Sequence, residues 1–384
     1  MPYLDHAATT PLRPEVWAAM APAVQAFGNP SSLHAEGRRA RVLLETARAR
    51  VAEALGCEPG EVVFTSGGTE ADTLAVWGAL GARPERPGLV TSSVEHHAVL
   101  APAEARAEAG HPVALLAPGA GGAPSPEAVA AACDERTGLV SVMLVNNETG
   151  ALADVPGIAR AAHAAGAWCH TDAVQAPGVV PVGVGALGVD LLSVSAHKLG
   201  GPKGAGALVV RSGVPLRPVV AGGAQERRRR GGTENLAGAL GLAEALARAV
   251  AERAGEAPRL AALRDRLLAR LRAAAGARLV VHTPGLGGAP GAAAPHILSV
   301  SVAPGAAPVD GEMLLLGLDL AGVAASAGSA CTSGALEPSH VVQALGVPRE
   351  TAGATVRFSL GRRTTAADVD AAAEAFAAHL ARVG

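Results

Sequence analysis

Cys331 is the first candidate for chemistry in this sequence. It lies in ASAGSACTSG (325–334), where every other residue is Ala, Ser, Thr or Gly. A cysteine that serves packing is normally found among bulky apolar side chains, which this stretch does not contain. We therefore expect a mobile segment that carries a reactive thiol. The other three cysteines, Cys57, Cys133 and Cys169, lie in helix-like or strand-like segments, and we assign them to packing.

Lys198 is a second residue with reactive potential. In VSAHKLGGPKG (194–204) it follows an apolar run and precedes glycines that permit tight backbone turns. A lysine held partly out of water has a lowered pKa and can act as a nucleophile or a base. The alternative is an exposed lysine that begins an ordinary loop.

A turn of small residues could bind an anion. Residues 66–69, with the sequence SGGT, lie between an apolar run and a helical pattern. Free backbone N–H groups at the start of that helix would suit a phosphate. The alternative is a simple helix cap with no ligand.

Further polar residues follow other apolar runs. Asp172 and Gln175 lie in HTDAVQ (170–175), and a carboxylate there could pair with a protonated ring nitrogen or merely cap a helix. His96 in EHHAV and Asn147 in VNNETG are weaker candidates, since a single histidine is most often structural. No Cys and His residues have zinc-like spacing, so we predict no metal site.

The elements that would position these residues form an alternating pattern. Short, nearly continuous apolar runs alternate with helical patterns through the first two thirds of the chain, which indicates a mostly parallel sheet covered by helices on both faces. The predicted strands are 61–66, 88–93, 139–147, 167–172, 189–197 and 206–210.

Parallel strands bring their carboxyl ends to one edge of a sheet, where α/β proteins bind ligands. The lysine, the aspartate, the small-residue turn and the histidine would meet there. This is the set that pyridoxal phosphate requires: an amine for a Schiff base, a carboxylate for the ring nitrogen, a helix start for the phosphate and a flat ring to stack.

A different pattern begins near residue 235. A long helical stretch is predicted to break at Pro258, and HILSVSV and ATVRFSLG are predicted as strands before a closing helix. We expect a large domain over 15–259 and a small α+β domain formed by 1–14 and 260–384.

Composition excludes several classes of protein. The 384 residues are 49% hydrophobic and 17% charged, which is typical of a globular protein. A net charge of −2 and 2% aromatic residues argue against a nucleic-acid partner. No apolar run is long enough for a membrane span and no signal segment is present, so we expect a cytoplasmic location with reduced thiols.

Ten short motifs together resemble the cysteine desulfurases of the NifS/IscS type, which are relatives of the class V aminotransferases. In order, they are YLDHAATTPL, FGNPSSLH, TSGGTEAD, EHHAV, VNNETG, TDAVQ, SAHKLGGPKG, QERRRRGGTEN, GSACTSGALEPSHV and VRFSLG. The resemblance extends over nearly the whole chain. It implies a fold type I pyridoxal phosphate transferase, with a mostly parallel seven-stranded sheet in the large domain and a smaller α+β domain.

The resemblance also implies a role for each candidate. Lys198 would hold the cofactor and shuttle a proton, His96 would stack on the cofactor and assist proton transfer, and Cys331 would be the nucleophile. The residues matched to cofactor binding, besides Lys198, are Gly68, Thr69, Asn147, Asp172, Gln175, Ser195, His197 and Thr233. Arg357 matches the clamp for the substrate carboxylate, assisted by Asn29.

The implied reaction removes sulfur from L-cysteine, giving L-alanine and a persulfide on Cys331. A sulfur acceptor would follow, either an iron–sulfur scaffold or an enzyme that thiolates a cofactor or transfer RNA. Thr233 matches a residue that reaches the cofactor of the other subunit. This implies a homodimer with shared sites and replaces the interpretation of ERRRRGG (226–232) as a plain solvated loop.

Other functions fit parts of the pattern. A selenocysteine lyase or another pyridoxal phosphate lyase would share the fold. A non-catalytic scaffold descended from the enzyme would not need Lys198, His96, Cys331 and Arg357 together. A cysteine–histidine hydrolase without cofactor would leave Lys198 and Asp172 unexplained.

Overall fold

A seven-stranded sheet lies at the centre of the protein. The computed structural model describes residues 1–286, 291–305, 309–328 and 337–383. The strands are β1 (Val62–Thr65), β2 (Gly88–Ser92), β3 (Val113–Leu116), β4 (Thr137–Ser141), β5 (Trp168–Asp172), β6 (Leu191–Ser195), β7 (Gly206–Val210), β8 (Leu279–Val281), β9 (Ile297–Val302) and β10 (Thr355–Ser359).

Helices cover both faces of this sheet and surround a second, smaller one. They are α1 (Pro14–Gln25), α2 (Ala35–Leu55), α3 (Gly68–Thr73), α4 (Ala79–Gly81), α5 (His97–Glu108), α6 (Pro126–Ala132), α7 (Val155–Ala164), α8 (Val184–Leu187), α9 (Leu236–Ala275), α10 (Gly311–Leu320), α11 (His340–Ala344), α12 (Arg349–Gly353) and α13 (Ala366–Val383). A π-helical segment, Leu74–Gly78, joins α3 to α4. No helix in the described ranges is both long and apolar enough to cross a bilayer.

The predicted mostly parallel sheet is confirmed. Its strand order is β1-β7-β6-β5-β4-β2-β3, and β7 alone runs against its neighbours. The interior strands β4, β6 and β7 are buried on both faces, as their nearly continuous apolar sequences predict. Ile158 of α7 and Leu242 of α9 pack in the core on one face, whereas Leu74 and Val99 pack in the core on the other.

A second core lies around the three-stranded antiparallel sheet β10-β9-β8. Leu4, Leu268, Val300, Phe358 and Phe376 are among the apolar side chains buried in it. The N-terminal segment joins this sheet, because Leu4 accepts a hydrogen bond from the Ser359 N–H at 2.7 Å and donates one to Ala324 at 2.9 Å. The chain then continues from this second core toward the carboxyl edge of the large sheet.

The predicted break at Pro258 is wrong. Helix α9 runs without interruption through Pro258, although proline offers no N–H to the carbonyl of Ala254. The helix packs against α1 and α2 in its first half and against α13 in its second half. This burial on both sides of the proline outweighs the cost of one missing hydrogen bond.

Two strands escaped sequence prediction. Strand β3 lies at the edge of the large sheet and is partly exposed, with Leu115 at 55%. Strand β8 has three residues and no fully buried face. Neither has the length or the continuous apolar pattern that reveals the central strands.

Gly206 lets strand β7 pack against the turn that precedes α3. A Cβ at position 206 would lie 2.7 Å from the Gly67 carbonyl carbon and 2.8 Å from the Val194 oxygen. We therefore expect Gly206→Ala to lower the free energy of unfolding by about 1–3 kcal/mol. Urea denaturation measures this change.

Gly255→Ala is the matched control for that substitution. Gly255 lies at an exposed position of α9, and no atom lies within 4 Å of a Cβ placed there. Alanine should stabilise the helix there by about 0.5–1 kcal/mol. An equal response of the two variants would contradict the close packing of β7 on the turn.

Candidate active site

The carboxyl ends of β1, β2, β4, β5 and β6 meet at one edge of the large sheet, because these strands run in the same direction. The structure brings to this edge most of the residues that the sequence singled out. They are Gly68, Thr69, His96, Asn147, Asp172, Gln175, Ser195, His197 and Lys198.

Lys198 ends a short 3-10 turn (Ala196–Lys198) that directly follows β6. Its Nζ donates hydrogen bonds to the carbonyl oxygens of Ala7 at 2.5 Å and Ala8 at 2.9 Å. Burial, followed by the charge of Arg357, lowers the pKa of Lys198 to about 8, although Asp172 and Asp5 act in the opposite direction. The amine is therefore poised to lose its proton near physiological pH.

Asp172 is the last residue of β5 and is 6% exposed. Its Oδ1 accepts a hydrogen bond from the Val174 N–H at 2.8 Å. Burial raises the pKa of Asp172 to about 6, while that hydrogen bond and the charge of Lys198 favour the ionised form. Gln175 donates from Nε2 to the Ala7 oxygen at 2.9 Å, so it shares an acceptor with Lys198.

The small-residue turn lies beside Ser195. Helix α3 begins at Gly68, where a Cβ would lie 2.8 Å from Val174 Cγ2 and 3.6 Å from Ser195 Cβ. Ser195 Oγ is buried and has no hydrogen-bond partner among the described residues. Thr69, one residue into the helix, is exposed. A buried hydroxyl with no acceptor, next to exposed helix-start residues, suits an oxygen-rich ligand.

Two histidines at this edge are neutral at physiological pH. His96 is exposed and caps α5, because its Nδ1 accepts a hydrogen bond from the Ala98 N–H at 3.0 Å. Although part of its ring is accessible, desolvation by the surrounding protein lowers the pKa of His96 to about 4. The positive charge of Lys198 acts in the same direction. Burial and the same charge lower the pKa of His197 to about 4, and its Nδ1 lies 3.1 Å from Thr9 Oγ1.

Arg357 reaches the site from the second core. It lies in β10, is 3% exposed, and donates from Nη1 to the Asn147 carbonyl oxygen at 2.8 Å. Its Nη2 donates to Asp5 Oδ1, also at 2.8 Å. Its Nε is buried and has no partner among the described residues. The guanidinium is therefore held in place while one N–H group lacks an acceptor.

Two candidates lie apart from this cluster in the single chain. Asn29 lies between α1 and α2 and is exposed, with Oδ1 accepting from the Ser31 N–H at 2.8 Å. Thr233 is exposed ahead of α9. Within the described ranges, neither side chain hydrogen-bonds to another candidate.

Cys331 and the predicted mobility of its segment lie outside the described residues. Gly328, the last described residue before it, accepts a hydrogen bond from Arg357 Nη1 at 3.2 Å. Ser326 and Arg357 form an antiparallel bridge. The chain that leads to Cys331 therefore leaves from the side of Arg357.

Sequence reasoning missed three acidic side chains at this site. Asp5 pairs with Arg357, and its place in the YLDHAATTPL motif was a signal for it. Asp72 and Glu95 are almost completely buried, and burial followed by the charge of Asp172 raises the pKa of each well above its usual value.

The arginine loop, residues 221–231, has a strained backbone. Glu226, Arg227 and Arg228 have φ values of 44°, 56° and 65°. This left-handed conformation costs a residue with a Cβ roughly 1–2 kcal/mol, so the loop must be held by contacts that offset the cost. One is the salt bridge between Arg230 and Glu70 at 2.9 Å.

Comparison with known proteins decides the family. The profile of the class-V aminotransferases matches residues 2–372. The chain belongs to this family. Within it, the resemblance to the NifS/IscS type and the fold type I architecture are both confirmed by the relatives described next.

Two curated relatives and one solved structure align along nearly the whole chain. Cysteine desulfurase IscS of Dictyoglomus turgidum is 42% identical over 96% of this chain and 91% of its own length. Cysteine desulfurase NifS of Azotobacter vinelandii is 43% identical over 96% and 90%. The structure of a NifS-like protein superposes with a TM-score of 0.89 at 33% identity and covers 99% of both chains.

The family depends on pyridoxal phosphate, and the residues present fit that group. Ser195 Oγ is buried beside the start of α3 with no partner in the described part of the chain, and it suits a phosphate oxygen. Lys198 offers an amine of lowered pKa, and Asp172 offers a carboxylate at the end of the neighbouring strand. These observations concern the protein's own atoms and are independent of the resemblance in sequence.

Lys198 should be far more reactive than an ordinary amine in the protein free of cofactor. With a pKa of about 8 against 10.5, roughly a tenth of it is neutral at pH 7, against fewer than about one in a thousand for a free lysine. Trinitrophenylation of Lys198 followed by mass spectrometry should show a midpoint near pH 8. Lys203, exposed and the only other lysine in the sequence, is the internal control.

Two variants test the cause of that shift. Asp172→Asn removes a charge that raises the pKa of Lys198, so the midpoint should move to lower pH. Arg357→Met removes a charge that lowers it, so the midpoint should move to higher pH. A midpoint near 10.5, or shifts in the reverse directions, would refute the electrostatic description of the site.

Proposed function

We propose that this protein is a cysteine desulfurase, which takes the sulfur of L-cysteine and releases L-alanine. The observation that carries the proposal is the environment of Lys198. The pKa of this amine is lowered by burial and by Arg357, while Asp172 acts in the opposite direction. The two curated relatives, each above 40% identity, are named for this activity.

Pyridoxal phosphate is the proposed cofactor. Lys198 would attach it, Asp172 would face its ring nitrogen and His96 would stack on its ring. The other residues proposed to hold it are Gly68, Thr69, Asn147, Gln175, Ser195, His197 and, from the partner subunit, Thr233. When bound, the group supplies an electron sink for charge that develops at the substrate Cα. Because the pKa of Asp172 is about 6, its carboxylate is mostly ionised at neutral pH, which favours a protonated ring nitrogen.

Arg357 is the proposed clamp for the substrate carboxylate, with Asn29 assisting. Its Nε–H has no acceptor among the residues that the structure describes, and its Nη2 bond to Asp5 fixes the plane of the guanidinium. A carboxylate held there lies on the side of the site that belongs to the second core. Lys198 Nζ would then take the proton from the substrate Cα, a task that its pKa of about 8 suits.

Cys331 is the proposed sulfur acceptor within the protein. Its thiolate attacks the substrate sulfur, so that an S–S bond forms and the C–S bond breaks. The electron pair of the C–S bond stays with the carbon skeleton, which takes up a proton and leaves as alanine. L-Cysteine and one thiol thus give alanine and one persulfide without an external oxidant. A lowered thiol pKa near the cationic site would favour this step.

We also propose a homodimer with shared sites. Thr233 is exposed in the single chain, as expected of a residue that serves a neighbouring subunit. Large apolar side chains lie exposed on α1 and on both sides of Asn29, including Trp17 at 66%, Phe27 at 81% and Leu33 at 88%. A second copy of the chain would cover this surface.

We also propose a domain boundary, a cellular compartment and a final sulfur acceptor. We place the boundary between the two domains near residue 259, since Ala249 packs in the first core and Leu260 in the second. The described cysteines Cys57, Cys133 and Cys169 are free thiols, which favours a cytoplasmic setting. The persulfide would pass to a separate acceptor protein.

Cys331→Ala should separate cofactor binding from sulfur transfer. The variant should keep the visible absorption of Lys198-bound pyridoxal phosphate and lose sulfide release from L-cysteine by at least about a hundredfold. Cys57→Ala is the matched control and should leave both properties unchanged, because burial raises the pKa of Cys57 to about 12. Wild-type turnover by Cys331→Ala would rule out the persulfide step.

A hybrid dimer tests the shared site. Lys198→Ala and Thr233→Ala subunits, co-expressed with different tags, give a hybrid whose one intact Lys198 receives Thr233 from the other subunit. That hybrid should bind cofactor at this site with wild-type affinity, whereas the Thr233→Ala homodimer should bind more weakly. Equal affinity of hybrid and homodimer would show that Thr233 does not act across subunits, and a monomer in sedimentation would end the dimer proposal.

A further inference from the structure

We infer that the buried ion pair between Glu226 and Arg48 is a positioning device for Thr233 and therefore acts on the cofactor site of the partner subunit. The inference rests on the shared-site dimer proposed above. Neither residue belongs to the cluster around Lys198.

Arg48 is fixed before Glu226 is considered. It lies on α2 with its side chain 3% exposed, and its Nη1 donates to the Val62 carbonyl oxygen at 2.8 Å. Its guanidinium lies over the Phe64 ring, 4.8 Å from the centroid. Both contacts are with β1, so a rigid positive group lies beside the strand that leads into the turn before α3.

Both carboxylate oxygens of Glu226 accept hydrogen bonds from Arg48 or from the adjacent strand β1. Oε1 accepts from Arg48 Nη2 at 2.8 Å, while Oε2 accepts from Arg48 Nη1 at 2.8 Å and from the Phe64 N–H at 3.0 Å. The side chain is 2% exposed. A buried carboxylate with three charge-assisted hydrogen bonds fixes its own backbone firmly.

That anchor holds the strained part of the loop. Glu226, Arg227 and Arg228 are three successive left-handed residues with a Cβ, a conformation that such residues leave when nothing holds them. The contacts of Arg227 are weaker than those of Glu226, since Arg227 donates to the Gly60 oxygen at 3.4 Å and lies 3.9 Å from the exposed Glu45 carboxylate. Release of Glu226 should therefore let the loop relax to an unstrained shape.

Thr233 follows directly from the base of this loop. The base is closed by a hydrogen bond from the Gly231 N–H to the Val220 oxygen at 2.9 Å, and a Cβ at Gly231 would lie 2.6 Å from the Gly222 Cα. Only Gly232 separates this closed base from Thr233, which is exposed. The shape of the loop thus sets the direction in which Thr233 leaves the chain.

The location of the pair allows one rival role, which the test must separate. Because Phe64 precedes the turn of residues 66–69 on the same chain, Glu226 could serve the phosphate turn of its own subunit. The positioning role predicts an effect across the subunit boundary, whereas the rival role predicts an effect within one subunit.

The experiment compares homodimers with hybrids. The Glu226→Gln homodimer should release pyridoxal phosphate about tenfold faster than wild type, measured by loss of visible absorption after dilution into a phosphate-containing buffer. In the hybrid with Lys198→Ala, the intact Lys198 receives Thr233 from a subunit with an unaltered loop. Its release rate should return to within about twofold of wild type. A loss that persists in the hybrid, or an unchanged homodimer, would overturn the inference.

Control variants distinguish the positioning role from misfolding and from failure of the shared site. Arg50→Gln, on the same helix as Arg48, breaks an ion pair with Glu244 on α9 and should change nothing. If Glu226→Gln does not fold, Arg48→Gln/Glu226→Gln removes both charges together and is tested in the same hybrid. Failure of the Thr233→Ala hybrid to recover would refute the shared site itself, whereas recovery there without recovery of the Glu226 hybrid refutes only the positioning role.

Relief of the backbone strain gives a second test of the positioning role. Arg227→Gly and Arg228→Gly, introduced together into Glu226→Gln, remove most of the cost of the left-handed backbone. They should restore part of the lost cofactor retention. A role of Glu226 in stability alone would raise the melting temperature in this triple variant without slowing cofactor release, and that result would also overturn the inference.

Discussion

A lysine ammonium held out of water by two backbone carbonyls is the interaction on which the site depends. Lys198 comes from the end of β6, and its acceptors, Ala7 and Ala8, come from the N-terminal segment. That segment is itself fixed in the second core through Leu4. A buried cation needs acceptors, and here the acceptors can be in place only when both cores are assembled. The carbonyls favour the charged amine, whereas burial and the charge of Arg357 lower its pKa, and all of these require both cores.

The electrostatics of the site follow from the same junction. The large sheet contributes Asp172, while the second core contributes Arg357 through β10. Their charges act on Lys198 in opposite directions, and Asp5 ties the arginine to the segment that also holds the lysine. A site built from one core alone would have either the carboxylate or the guanidinium. The balance that leaves the pKa of Lys198 near 8 is a property of the interface between them.

The sequence predicted the elements whose burial is complete. Strands such as β6 are apolar throughout because both faces are covered, and polar residues mark their carboxyl ends, which is why Lys198 and Asp172 could be found. Pro258 misled the prediction because packing along α9 outweighs a local rule. The carbonyl acceptors of Lys198 leave no trace in side-chain type. The pair of Glu226 with Arg48 spans 178 residues, a separation at which charge pattern alone carries no information.

The continuous helix α9 has a mechanical consequence. Its 40 residues extend for about 60 Å, and its two halves are embedded in different cores. The helix therefore couples the two cores, since neither core can rotate relative to the other without bending it. The hydrogen bond missing at Pro258 lies between the part of α9 that packs in the first core and the part that packs in the second. Bending is least costly there. If the two cores move relative to each other, α9 bends most easily at this proline, and the distance between Lys198 and Arg357 changes with it.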